Sequence, residues 1–137
     1  MKLLYRASEY NCSDQMFQQK CNGKTPTIVI IHTENNYKFD GYTEKSWSSS
    51  SKDDNAFCFS INLKKIYNII KGRKAIGCGN GPIFYGDYYN FIQISEKYGH
   101  HSCKKNSNYE GVENEFEISG GIDKFTLLDY EVFQIIF

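Results

Sequence analysis

At 137 residues, with 16 Lys plus Arg against 16 Asp plus Glu, the chain has room for one domain with a real core, since folding at this length buries roughly two-thirds of the unfolded surface. The charges are spread over both halves and form no basic stripe, which argues against nucleic acid as a partner. No run approaches the ~18 apolar residues of a membrane span; the longest, Ile28-Val29-Ile30-Ile31, is strand-sized and predicts no membrane insertion.

Taken in chain order, residues 3–8 lay a first strand or entry segment into the core. Ser13 then reads as a helix N-cap, with Asp14 in the first turn where a carboxylate meets the positive end of the helix dipole. Met16, Phe17 and Cys21 share a face at helical spacing, and Gly23 supplies the stop. Pro26 blocks continuation. Residues 27–32 are β-branched almost throughout, the composition of a strand buried on both faces. Glu34, Asn35 and Asn36 turn the chain into Tyr37-Lys38-Phe39, which predicts a hairpin.

Residues 46–51 form a polar loop around Trp47, the single tryptophan, with hydroxyls able to bond nearby backbone. Residues 56–61 read as a strand with Phe57, Phe59 and Ile61 on one face and Ala56, Cys58 and Ser60 on the other; the larger face is expected inside. Residues 64–71 suit a short helix or a strand extension equally. Four further strands are predicted at 74–78, 82–85, 90–94 and 126–137. The turn Gly79-Asn80-Gly81 permits the positive φ of tight connections, and residues 95–113 read as a long polar loop. Glu110, Glu113, Glu115 and Glu117 read as a solvated face.

Short strands at regular intervals bury their apolar sides only against another sheet. The pattern therefore predicts a mainly β protein: an antiparallel two-sheet β-sandwich with one or two short peripheral helices, one domain over residues 1–137.

Cys12, Cys21, Cys58, Cys78 and Cys103 are an odd number without paired short spacing, which favours free thiols in a reducing compartment. With a charge at Arg6 where a secretory apolar region would build, the expected location is cytoplasmic. Chemically suggestive residues lack partners at workable spacing. His100-His101-Ser102-Cys103 has no second ligand pair for zinc. His32 lies in an apolar strand, and no local pattern pairs a thiol with a histidine. The stretch 77–82 lacks the Lys-Ser/Thr of a phosphate-binding loop. No cofactor, metal or catalytic residue is expected.

Leu3-Leu4-Tyr5-Arg6-Ala7-Ser8, Cys21-x-Gly23-Lys24-x-Pro26-Thr27, Gly41-Tyr42-Thr43-x3-Trp47-Ser48-Ser49-Ser50, Ala56-Phe57-x-Phe59-Ser60, Gly81-Pro82-x-Phe84-x-Gly86 and Glu131-Val132-Phe133 occur in this order. Together they resemble the TLDc domain over nearly the whole chain. The match departs in turns: Asp40 stands where members commonly carry a second glycine, and Tyr85 to Tyr89 replaces a Gly-rich stretch. The resemblance implies the same sandwich and a non-catalytic protein-interaction role linked to oxidative-stress protection, through binding the vacuolar proton-pumping ATPase. The chain is expected to be a monomer.

Loops on a rigid sandwich are where recognition is usually placed, so Lys45, Trp47, Asp87, Tyr88 and Tyr89 are the candidate partner-binding residues, with Trp47 also readable as a packing pin for its own loop. An alternative is direct thiol chemistry at Cys103, beside His101, Lys104 and Lys105, whose positive charge favours a thiolate. A third reading, a hydrolase using scattered carboxylates, has no local support.

Overall fold

Ser13 sets the start of helix α1 (Asp14–Cys21): its hydroxyl accepts the Met16 N–H at 3.2 Å, and Asp14 occupies the first turn. Gly23, at φ +75°, ends the helix in the left-handed conformation that glycine tolerates best. The helix buries Phe17 and Cys21 against the β core. The computed structural model describes residues 1–79, 81–86, 90–95, 98–100, 108–114 and 116–136.

Eleven strands build the described fold: β1 (Lys2–Arg6), β2 (Thr27–Thr33), β3 (Lys38–Thr43), β4 (Ser51–Lys52), β5 (Phe57–Ser60), β6 (Lys65–Asn68), β7 (Lys74–Cys78), β8 (Pro82–Phe84), β9 (Ile92–Ser95), β10 (Tyr98–His100) and β11 (Lys124–Gln134). Short 3-10 turns lie at Ala7–Glu9 and Glu117–Ser119. Every pairing is antiparallel. The first sheet runs β1-β11-β2-β3-β5-β6 and the second β4-β7-β8-β9-β10-β11. β11 belongs to both. Its first residues pair with β10, its last pair with β1, and a register shift between Leu127 and Asp129 marks the passage. The fold is the expected mainly β, two-sheet antiparallel architecture.

A line of aromatic contacts runs through the core: Tyr5 to Phe17 to Trp47 to Phe84 to Tyr109 to Phe91 to Tyr67, with ring centroids 5.3 to 6.2 Å apart. These spacings suit offset and edge-to-face packing. The same rings decide which face of the first sheet turns inward. Cys58 and Ser60 of β5 are buried, whereas Phe57 and Phe59 are half-buried and Ile61 is exposed, so the smaller face points into the core, against expectation. The cause is volume. Phe84 from the second sheet already fills the space over Gly41 of β3, where a Cβ would meet its ring, and Cys58 of β5 stands beside Gly41 in register on the same inward face.

Other expectations change with the tertiary setting. β2 alternates between fully buried Thr27, Val29, Ile31 and Thr33 and half-buried Ile28, Ile30 and His32, so one face only is sealed. The ambiguous stretch 64–71 contains strand β6. The long loop 95–113 contains β10 and then Asn108 and Tyr109, both buried, with the Tyr109 hydroxyl donating to the Ala75 carbonyl at 2.8 Å. Gly79 does not adopt positive φ, and Asn80 lies outside the described residues. Gly81 is required instead by proximity, because a Cβ there would lie 2.7 Å from the Ile94 carbonyl oxygen.

Candidate functional site

The loop after β3 is held by polar staples. Asp53, nearly fully buried, accepts the Thr43 hydroxyl and the Glu44 N–H through one carboxylate oxygen, each at 2.7 Å, and the Asn55 N–H through the other at 3.0 Å. Ser46 Oγ accepts the Gly23 N–H at 2.9 Å, tying the loop to the end of α1. Trp47 is 0% exposed, and its indole N–H donates to Thr27 Oγ1 at 3.0 Å. It is the pin of the loop from beneath, with no surface of its own for a partner. Lys45 is exposed on the outside of the same loop.

Asp87, Tyr88 and Tyr89 fall outside the described residues. The segment that leads to them is nevertheless tied to the first loop, since Ser50 Oγ and the Tyr85 hydroxyl are 2.9 Å apart. Beside Tyr85 lies a shallow pocket of about 480 Å³ lined by Arg73, Lys74, Tyr85, Gly86 and Asn108. Lys74 Nζ sits 5.9 Å from the Tyr85 ring centroid, at the limit of a cation–π contact.

The chemistry-bearing residues elsewhere are occupied by structure. Glu117 is not part of a solvated face: its side chain is 8% exposed. It accepts the Tyr67 hydroxyl, Lys65 Nζ at 2.9 Å and the Glu113 and Asn114 N–H groups at 2.7 Å. Burial works against its charge, but the Asn114 N–H, the Tyr67 hydroxyl, Lys65 and the Glu113 N–H outweigh it and hold the carboxyl down at about 2. His32 Nε2 is paired with Asn36 Oδ1 at 3.0 Å. Burial pushes the Cys21 thiol up to about 12 and raises that of Cys58, which Asp40 raises further. His101, Ser102 and Cys103 lie outside the described residues. Among the described residues no three His, Cys, Asp or Glu side chains converge as metal ligands, and no helix is long and apolar enough to cross a membrane.

The sandwich, the pinned tryptophan loop and the Gly41 close approach coincide with the sequence blocks that define one family, and its profile, described as TLDc domain, matches residues 1–136. The chain belongs to the TLDc domain family. TLDc domains are linked in general to oxidative-stress proteins. Among curated proteins the chain has no significant match.

This TLDc domain carries a feature the sequence reading missed. On the outward face of the first sheet, register places Leu3, Phe133, Ile28, Tyr42 and Phe57 in one row across the strands. The adjacent row is Arg6, Glu131, Ile30, Asp40, Phe59 and Ile66. Tyr42 stacks on Phe57 with centroids 4.9 Å apart, and Arg6 bridges Glu131 at 2.8 Å. Asp40 is only 8% exposed although it faces outward, and its Oδ1 has no hydrogen-bond partner. Desolvation pushes its carboxyl up to about 7. The available signal was the departure at Asp40 together with the alternation of β5. Placing Phe57 and Phe59 inside the core hid the apolar row to which Asp40 belongs.

Proposed function

We propose that this TLDc domain is a non-catalytic protein-interaction module of the cytoplasm that contributes to oxidative-stress protection by binding subunits of the vacuolar proton-pumping ATPase. The observation that carries the reading is the family match over residues 1–136. Support for a role without turnover comes from the acidic side chains. Asp53, Glu117, Asp129 and Glu131 accept hydrogen bonds from Thr43, Tyr67, Ser8 and Arg6 in turn, and so are engaged in building the domain. The raised thiols of Cys21 and Cys58 favour binding over thiol scavenging at those two sites, because the thiolate is the reactive form.

Lys45 and the segment Asp87, Tyr88 and Tyr89 are the proposed contact residues, with Trp47 shaping the loop that presents Lys45. Gentle pull-down with the folded domain tests the partner: recovery of ATPase subunits is expected, and their absence removes that partner. A chain with all five cysteines replaced by serine, where it folds, is expected to protect cells from peroxide as well as the wild type. Loss of protection by Cys103→Ser alone would favour the thiol reading.

A further inference from the structure

We propose that the outward face of the first sheet is a second interaction surface, which receives an amphipathic helix of a partner protein carrying one Lys or Arg in its apolar stripe, paired with Asp40. The inference rests on the interaction role above and gives it a surface and a chemistry distinct from the loops.

Two observations carry it. Ile66 is 48% exposed and Leu3 37%. With half-buried Phe133, Ile28, Ile30, Phe57 and Phe59 between them, they make an apolar stripe, bordered on β1 and β11 by the Arg6–Glu131 pair, that packs on no other described layer. Stripes of this kind mark interaction sites. Within it stands a carboxyl that is nine-tenths buried, with one oxygen unpartnered. An outward-facing strand position normally leaves an Asp free to reach water, yet here register sets Asp40 between Ile30 and Phe59. No described cation lies within ion-pair distance of it. A buried polar group without a partner is costly, and a cation delivered by a docking surface removes that cost while the apolar neighbours exclude water around the pair.

Dimensions favour a helix. Six strands spaced by ~4.8 Å span about 24 Å, the length of roughly sixteen helical residues at ~1.5 Å each. Two adjacent rows of outward side chains match the width of one helix. A second copy of this chain fits less well, because a two-fold axis lying along the row brings one Asp40 against the other, and an axis along the strands at mid-row sets each Asp40 against Ile30, so neither supplies a cation.

The test is selection against the intact domain from a displayed library of amphipathic helices about sixteen residues long, with the apolar-face positions open to aliphatic, aromatic, acidic and basic residues. Recovered helices are expected to carry one Lys or Arg among apolar residues, to shift the amide resonances of β3 and β5, and to bind about tenfold more weakly to Asp40→Asn and to Ile66→Ser. Asp40→Asn conserves shape and Ile66→Ser alters an exposed side chain, so a folding defect in one leaves the other informative. Recovery of no helix, helices without a basic residue, binding that maps to the loops, or affinities within about twofold for both variants would overturn the proposal. So would a dimer of the free domain dispersed by Ile66→Arg. ATPase capture separates the two readings. If wild type and both variants recover the subunits equally while no selected helix seats on β3 and β5, the face falls and the interaction role stands. If wild type recovers none while selected helices seat on β3 and β5, the ATPase partner falls and the face stands.

Discussion

The ring of Phe84 occupies the place that a side chain at Gly41 would fill: a Cβ built on Gly41 would lie 2.2 Å from Phe84 Cζ. The two sheets meet there with backbone against aromatic ring. Gly41→Ala must therefore displace a fully buried Phe84, and overpacking of this kind costs ~1–3 kcal/mol. Chemical denaturation is expected to show that loss, and Gly41→Ala combined with Phe84→Leu is expected to recover part of it. Equal midpoints for Gly41→Ala and wild type would show that the ring shifts freely.

Trp47 gives the domain an internal reporter. As the one tryptophan of the chain and fully buried, it is expected to emit at short wavelength when folded and to shift red on unfolding. Trp47→Phe keeps a ring against Phe17 and Phe84 but removes the donor to Thr27 Oγ1. A loss of about 1–2 kcal/mol follows from the broken bond, read by thermal or denaturant unfolding. Lys45→Ala, on the exposed side of the same loop, is expected to leave the unfolding midpoint unchanged.

Asp40 makes stability fall with rising pH. Its carboxyl titrates at about 7 when folded against an ordinary value of 3.8. Between those values the native state binds more protons than the unfolded chain, so the slope of unfolding free energy against pH is negative. The stabilising contribution is full below about pH 4 and gone above about pH 7, up to about 4 kcal/mol in all. Asp40→Asn is expected to flatten that slope and to be more stable than wild type at pH 8. Parallel curves for the two proteins would show that Asp40 finds a partner or water when ionised.

Glu117 acts with the opposite sign. Its folded value of about 2 lies below the ordinary 4.5, so its contribution is complete above about pH 4.5 and disappears as pH falls toward 2. Glu117→Gln is expected to lower stability at pH 7 by about 1.5–3 kcal/mol, the range for a hydrogen bond to a charged group. The difference from wild type should shrink at pH 2.5. A difference that persists there would assign the loss to packing.

The cysteines are expected to react unequally with a thiol reagent at pH 8. Cys21 and Cys58, buried and held as thiols, should be modified only at the rate of opening of the fold, while Cys12 and Cys78, partly exposed, should be modified faster. Mass-spectrometric mapping after a short pulse checks this. Early modification of Cys58 would place it in a region that opens locally.

Local rules were readable wherever one residue decides a local event. Ser13 and Gly23 bound the helix, Pro26 precedes β2, and 34–36 close the hairpin, each for reasons contained within a few residues. β7 emerged with its limits intact. What was not readable depends on the opposite layer. Nothing near Phe57 announces that Phe84 has already taken the interior, so the alternation of β5 fits either face and size alone points the larger side chains inward. Tyr109 looked like part of a solvated loop because its acceptor is the carbonyl of Ala75, distant in sequence. Asp40 stands out in the sequence only as a departure from the family's glycine, whereas its burial arises beside Ile30 and Phe59 on neighbouring strands.

Because β11 pairs with β10 and β2 and then with β1, the sandwich closes only when residues 124–134 meet strands that were made first. During synthesis the ribosome holds that strand back until nearly all of residues 1–136 have been added. Until then the outer edge of β2 and the aromatic interior stand open, a state in which sticky surface is most exposed to aggregation. An almost complete domain must therefore be sheltered until β11 emerges, and substitutions that weaken β11 should reduce yield on expression more than they reduce the stability of the molecules that do fold.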